Sequence, residues 1–368
     1  MKFAVIRNGS NSKLNDLADG IVRACLAHGH EISSETNGVR FVLNLTNVEA
    51  PRAFRRRSQS IFVVSLVAMD ELREDAQSVC YRTLVRSLSN LVLCVVPSTT
   101  LRPTGTNGRS EIYFTTPEAG FYLLPFDLEA IYQRILPIVS SHFATDNRFT
   151  VDLPAQYCGT SPIVEKIKRY GRELDALGVL PAPFPLRQIL SEEDLQHIYR
   201  IYGITGASYG NLSARERIPE LGKTTFWMTG RGVNKANIAK VGRDVLLVKG
   251  FDDEHGAALL SVPAYYDPKA RVSVDAVEHS LIYRTFSDVG AIVHVHAWMD
   301  GVLSTRQNYP CGTRELAEEV VGLLHQTDDP SQAAVGLKNH GLTITGHSLG
   351  QIFERIRGKL LTEVPMFA

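Results

Sequence analysis

The sequence predicts an α/β protein built from two domains. Three observations carry that expectation. Over residues 1–150, short runs of Val, Ile and Leu alternate with helix-patterned stretches. A segment containing Pro154, Gly159 and Pro162 follows at 151–162. Further on lies the apolar run Ala291-Ile292-Val293-His294-Val295-His296, with Lys338-Asn339-His340-Gly341 placing a third histidine 44 residues beyond His296. The first pattern reads as a doubly wound, mostly parallel sheet, because strands buried on both faces are continuously apolar rather than alternating.

Strands are expected at 3–6, 39–45, 60–67 and 91–96, where β-branched and aliphatic residues cluster. Helices are expected at 13–28, 71–88 and 127–141, and the short runs 112–114 and 121–124 suggest a hairpin. The loop Arg7-Asn8-Gly9-Ser10-Asn11-Ser12 follows the first strand, where such sheets often receive ligands. It lacks GxGxxG, so a dinucleotide is not indicated. The role of this first domain stays open between ligand sensing, oligomerisation and docking.

The stretch 151–162 reads as a linker, with the second domain over 163–368. It opens on a helix at 163–177. Pro181-Ala182-Pro183-Phe184-Pro185 then separates it from a helix at 191–202, whose acidic first turn suits the helix dipole.

The chemistry concentrates in this second domain. Strand side chains alternate faces, so His294 and His296 point the same way. Two imidazoles on one stiff strand can hold one metal ion, and His340, beside a Gly that permits a tight turn, is the natural third ligand. Three neutral histidines leave coordination positions open, which is the pattern of a catalytic site. Spacing alone also admits two buried, hydrogen-bonded strand histidines with no metal. Gly210-Asn211 and Thr229-Gly230 are small loop residues with backbone N–H groups suited to an anion nest, and Arg215, Lys223 and Arg231 are candidate charges. On a helix over 275–286, Asp275, Glu278, His279 and Ile282 share a face, so either carboxylate qualifies as an acid/base by spacing. His347, after Gly346, reads as a surface residue at a helix start. No motif places a base beside Cys311, which therefore reads as structural.

Lysine plus arginine equals aspartate plus glutamate at 39 each, with pI near 7.2, so no nucleic-acid partner is expected. Five scattered cysteines without CxxC give no disulfide framework. The chain opens on a strand-like run rather than a signal peptide, and no apolar run approaches the ~20 residues that cross a bilayer. A cytoplasmic protein without membrane contact is the expectation.

The ordered set Gly210-Asn211-Leu212-Ser213-Ala214-Arg215, Met228-Thr229-Gly230-Arg231-Gly232, Ser273-Val274-Asp275, His279, Tyr283, the HxH pair, Pro310-Cys311-Gly312-Thr313-Arg314-Glu315-Leu316-Ala317, Asn339-His340-Gly341 and Gly346-His347-Ser348-Leu349 resembles the class II aldolase/adducin family. The resemblance covers roughly residues 160–368 and says nothing of 1–160. That family includes fuculose- and rhamnulose-phosphate aldolases, ribulose-phosphate 4-epimerase, metal-dependent decarboxylases and dehydratases, and non-enzymatic adducin heads. It implies a three-layer α/β/α domain with a divalent ion on His294, His296 and His340. Zinc fits three imidazoles best, with manganese, cobalt and iron as alternatives. The family's catalytic acid stands four residues before the helix histidine, which selects Asp275. Gly210, Asn211, Thr229, Gly230 and Ser273 match the positions that bind the substrate anion, although Ser273-Val274 has one hydroxyl fewer than the family's Ser-Ser pair. The resemblance also implies a homo-oligomer, a tetramer. The implied activity is a metal-dependent lyase acting on a small polyhydroxylated keto compound, with or without a phosphate. It would work through a metal-stabilised enediolate, by retro-aldol cleavage or decarboxylation. A sugar-phosphate 4-epimerase, which like this chain carries Asp as its acid, an iron-dependent oxygenase and a non-catalytic adducin-like scaffold are the alternatives.

Overall fold

In a computed structural model, the described residues are 1–7, 12–56, 58, 60–97, 110–118, 120–179, 186–196 and 209–367. The expected ligand loop at 8–11, the prolines between 181 and 185, and residues 197–202 of the expected second helix lie outside them. The chain forms two compact units. One comprises Met1–Ser140 with Leu186–His197 and Met366–Ala368; the other comprises Ser141–Pro185 with Ile198–Pro365.

The first unit carries strands β1 (Lys2–Arg7), β2 (Glu31–Ser33), β3 (Phe41–Leu45), β4 (Phe62–Ala68), β5 (Leu91–Pro97), β6 (Ser110–Thr115) and β7 (Phe121–Pro125). They lie in the order β2-β1-β3-β4-β5-β6-β7. The first five are parallel, and β6 and β7 add an antiparallel hairpin. Its main helices among the described residues are α1 (Ser12–Ala27), α2 (Ala76–Ser87) and α3 (Leu128–Ser140). Strands β3, β4 and β5 are buried almost throughout, which is why their sequences are continuously apolar. Strand β2 gave no such signal. It is three residues long, lies at the sheet edge and leaves Ile32 52% exposed.

The second unit carries β8 (Asp146–Thr150), β9 (Asn211–Arg215), β10 (Phe226–Thr229), β11 (Val245–Asp252), β12 (Ala257–Ser261), β13 (Ala291–Val295), β14 (Leu303–Ser304), β15 (Ala334–Leu337) and β16 (Gly341–Gly346). Their order is β14-β15-β16-β13-β9-β10-β11-β12-β8, antiparallel except at the two outer pairs. Its main helices among the described residues are α4 (Pro162–Ala176), α5 (Ala276–Thr285), α6 (Arg314–Leu324) and α7 (Leu349–Ile356).

Alternation along the strands builds two cores. Trp227, Val245, Leu247, Val293 and Ile344 pack with residues of α4 and α7 on one face. Phe226, Met228, Leu246, Val248 and Ile292 pack with residues of α5 and α6 on the other. The result is a three-layer α/β/α arrangement. Because Ile292 faces α5, so does His294, two positions on.

Sequence composition had placed 146–150 with the first domain. In the structure these residues form β8, which pairs in parallel with β12 in the second unit's sheet. The strand is polar and partly exposed, as an edge strand can be, and so carries no apolar run. Within 151–162, Ser161 caps α4 by accepting a hydrogen bond from the Val164 amide at 3.1 Å, with Pro162 in the first turn. No helix among the described residues is long and apolar enough to cross a membrane.

Candidate metal centre and active site

The α5-facing side of the central strands is polar where the sheet is deepest. Residue pairing aligns Asn211 of β9, His294 of β13 and Thr343 of β16 in one row across three strands. Their neighbours Leu212, Val293 and Leu342 point into the opposite apolar core. Asp275 and Glu278, at the start of α5, contact Asn211 and Thr343 of this row from the layer above, and His279 contacts Ser213 of the neighbouring row.

His294 lies within β13, and His296 lies just past its end. His340 sits in the turn between β15 and β16, where its amide donates to the Leu337 carbonyl at 3.0 Å and Asn339 takes a left-handed φ of 58°. Two glycines allow the close approach that brings these segments together. A Cβ on Gly341 would lie 2.2 Å from the Val295 carbonyl oxygen and 3.0 Å from His296 Cα. Gly210, at φ 71°, presses on the other side of the strand, where a Cβ would lie 2.5 Å from the His294 carbonyl oxygen. Gly341→Ala must therefore move backbone, not a flexible side chain. It should cost about 1–3 kcal/mol of stability and weaken metal retention, checked by thermal melting beside metal content. An alanine variant that matches wild type in both would refute the role given to this contact.

The three imidazoles converge. Ring centroids are 5.2 Å apart for His294 and His296, 4.8 Å for His294 and His340, and 4.7 Å for His296 and His340. One nitrogen from each lies within 4.8 Å of the others, and all three residues are buried. Nε2 of His340 is 3.1 Å from Nε2 of His296. Nδ1 of His294 donates to the Leu342 carbonyl at 3.0 Å, which leaves its Nε2 as a lone pair. That Nε2, and Nδ1 of His296, are buried with no hydrogen-bond partner among the described residues. Burial holds His294 below the usual histidine range, and burial plus neighbouring histidine charge holds His296 and His340 well below it. Neutral imidazoles with an orphaned lone pair fit a divalent cation. In a tetrahedral site with bonds of about 2.0–2.1 Å, donor nitrogens stand about 3.3 Å apart, close to the 3.1 Å found here.

Asp275 is the N-cap residue of α5 and is buried. Asn211 Nδ2 donates to its Oδ2 at 2.7 Å, and the Ser273 hydroxyl lies 3.5 Å from the same oxygen. Asn211 also donates to Ser273 at 3.1 Å. Thr229 accepts the Leu212 amide on its hydroxyl at 3.2 Å and the Ser273 amide on its carbonyl at 3.2 Å. The Gly230 amide, expected as a free anion donor, instead donates to the Asp244 carbonyl at 2.8 Å. Gly210, Asn211, Ser273 and Asp275 thus cluster beside the histidines, while Thr229 and Gly230 support that cluster through backbone bonds.

Glu278 is 2% exposed and accepts the Thr343 hydroxyl at 2.7 Å. Burial, with the nearby Asp275 charge, pushes its carboxyl up to about 8. An unfolded glutamate loses its proton near the ordinary value of 4.5, so the folded chain binds more protons between 4.5 and 8. Stability therefore falls as pH rises through that window. Glu278→Gln should flatten the dependence of melting temperature on pH between about pH 5 and 8. A slope identical to wild type would place the proton elsewhere.

His279 is fully buried and brought down to about 3 by burial, then by the charge of His294. Its Nδ1 meets the Ser213 hydroxyl at 2.7 Å, and Ser213 meets the Tyr283 hydroxyl at 2.8 Å. It is a buried polar support and not one of the three convergent donors. Arg215 is also structural: it donates to the carbonyls of Tyr283, Phe286 and Val289 around the end of α5. Lys223 lines a separate cavity with Phe226, Lys249 and Arg284. Arg231 is held down to about 10 by burial and donates to the Thr145 carbonyl. His347 binds the Asp288 carbonyl at 2.9 Å, outside the triad.

Two residues near the site were not legible in the sequence. Lys235 is 1% exposed and brought down to about 7 by burial, against the opposing pull of Asp275. Its charge also acts on His294 and His296. A lysine in a polar loop ordinarily reads as solvated, so no periodicity could have marked it. Cys311, read as structural, has its Sγ 3.2 Å from Nε2 of His340.

Residues 194–307 match the family model described as the class II aldolase and adducin N-terminal domain. That span includes His294 and His296 and ends before His340. Among solved structures, an L-fuculose 1-phosphate aldolase is similar at 17% identity over 54% of this chain and 81% of its own, with a TM-score of 0.34. YgbL from Escherichia coli, a putative aldolase/epimerase/decarboxylase, is similar at 17% identity over 52% and 82%, with a TM-score of 0.31. YgbL from Klebsiella pneumoniae gives 18% identity over 52% and 82%, with a TM-score of 0.31. No curated protein sequence matches the chain.

Proposed function

We propose that the second unit, whose residues 194–307 match the model of the class II aldolase and adducin N-terminal domain, is a divalent-metal-dependent lyase. Its substrate is a small polyhydroxylated keto compound, cleaved by retro-aldol chemistry or decarboxylated by way of an enediolate. The observation that carries this reading is the convergence of three buried, neutral imidazoles next to a buried carboxylate. His294, His296 and His340 would hold the ion, with zinc the best fit to three imidazoles. The ion supplies Lewis-acid charge that stabilises negative charge developing on substrate oxygens.

Every other role falls to the chain's own groups. Asn211 fixes Oδ2 of Asp275 and leaves Oδ1 without a hydrogen bond among the described residues, so Oδ1 is the oxygen that takes or returns the substrate proton. Glu278, pushed up to about 8, holds its proton at neutral pH and so adds no negative charge beside the histidines. Lys235, brought down to about 7 by burial, would in its protonated form favour an anionic substrate. Asn211 and Ser273 offer the side chains nearest to Asp275 for substrate contact.

Epimerisation is the second reading, favoured by Asp at position 275, because bond cleavage followed by rotation and recombination uses the same groups. The test is release of aldehyde or carbon dioxide from a panel of ketose phosphates and hydroxy keto acids by the full chain. Chelation should abolish release, and added zinc should restore it. Turnover indifferent to chelation would overturn the metal-dependent reading, and an inverted sugar without cleavage would select the epimerase.

A further inference from the structure

We propose that the second unit holds an anion site apart from the metal centre: a cavity of about 280 Å³, lined by Lys223, Lys249, Arg284 and Ser280, that takes the phosphate group of a small phosphate ester. The site stands independently of the lyase reading. It lies where β10 begins and β11 ends, against the middle and end of α5. Phe226, in its lining, opens β10, whereas Thr229, which supports the Asn211–Ser273–Asp275 cluster, closes it. Three steps of a strand separate the two by about 10 Å.

The backbone aims charge into this cavity. The β11–β12 register passes from Val248 opposite Leu260 to Gly250 opposite Leu259, so Lys249 is the extra residue of a bulge. A bulge turns its side chain out of the regular alternation. Lys249 pairs with Asp152, whose other oxygen accepts the Ser261 hydroxyl at 2.6 Å. An ammonium has three protons, so two remain for a ligand. Arg284 meets Asp253 through Nη1 at 2.6 Å and Nη2 at 3.0 Å, which spends two of its five N–H donors. Lys223 is exposed and makes no ion pair among the described residues. Each of the other two cations is offset by one carboxylate, so Lys223 leaves the cavity with an excess of positive charge.

Ser280 supplies the independent observation. It is 3% exposed, and its Oγ is buried with no hydrogen-bond partner among the described residues. A helical hydroxyl ordinarily returns to the carbonyl four residues back, as Thr285 of the same helix does to Leu281 at 2.8 Å. Ser280 does not, and it lines the cavity. A buried hydroxyl without a partner is a cost to the fold that an acceptor in the cavity would remove. A phosphate monoester brings about 1.5–2 negative charges and three acceptor oxygens, enough to meet a hydroxyl and several cationic donors at once. Phe226 and Phe251 form an apolar wall suited to a short organic group. The volume lies below the roughly 300–1,000 Å³ of pockets for drug-sized ligands, which favours a small ester over a nucleotide.

Calorimetric titration of the full chain with glycerol 3-phosphate and with inorganic phosphate, in chelator and at matched ionic strength, tests the site. Wild type should bind one anion per chain, with a matching rise in melting temperature. Lys223→Ala and Ser280→Ala should each weaken binding about tenfold or more, while melting without phosphate stays at the wild-type temperature. His340→Ala, which bears on the lyase reading, should leave phosphate binding unchanged. Tighter binding of the ester than of inorganic phosphate is the expected order; the reverse would overturn the ester as occupant. Wild type that shows neither saturable heat nor a melting shift would overturn the site. So would binding that survives in both cavity variants but is lost in Ser273→Ala, which would place the anion beside the metal centre.

Discussion

His294→Ala and His340→Ala each leave a folded chain that no longer retains its metal. Each substitution deletes one of three nitrogens that lie within 4.8 Å of one another. Losing only an outer partner of a metal ligand typically costs about 10–100-fold in affinity, so losing a ligand costs more. The fold should survive, because His294 Nε2 makes no hydrogen bond in the described protein and the strand is held by paired neighbours on both sides. The cavity left by an imidazole lies in a polar row, where water can enter. Elemental analysis of purified protein, with circular dichroism alongside, reads the outcome: about one ion per chain in wild type and essentially none in either variant. His340→Ala protein that keeps a full complement of metal would end the three-histidine reading.

Asp275→Asn should retain the ion and lower turnover by about 10²–10⁴, the range for loss of a positioned acid/base. Asparagine has the same shape and can still accept the Asn211 amide through its oxygen. What it cannot do is carry a proton to and from substrate. Glu278→Gln is the control. Glu278 is already protonated at neutral pH and bonded to Thr343, so a neutral amide resembles it more closely. Full activity in Asp275→Asn together with loss in Glu278→Gln would reverse the assignment of the two carboxylates.

Much of the fold was legible because local sequence repeats the geometry that local structure needs. The aliphatic runs of β3, β4 and β5 announced a sheet covered on both faces, and these strands are buried almost throughout. Strands β2 and β8 were hidden, since an edge strand buries too little to show a pattern. The expectation of a free Gly230 amide failed for a related reason. The Asp244 carbonyl that takes it is reached only when β10 and β11 pair.

The sequence by itself determined that His294 and His296 share a face, because strand side chains alternate with a period of two. It also determined the helix face carrying Asp275, Glu278 and His279, whereas the close approach that admits only glycine at Gly210 and Gly341 came from strand pairing. Only the tertiary structure decided that His340 reaches His296 across 44 residues, that Thr343 hydrogen-bonds Glu278 across 65, and that Cys311 stands beside His340 across 29. The burial of Lys235 was decided in the same way. Periodicity encodes which side of an element a residue occupies; which element packs against that side follows from sheet order and layer packing, to which no local spacing responds.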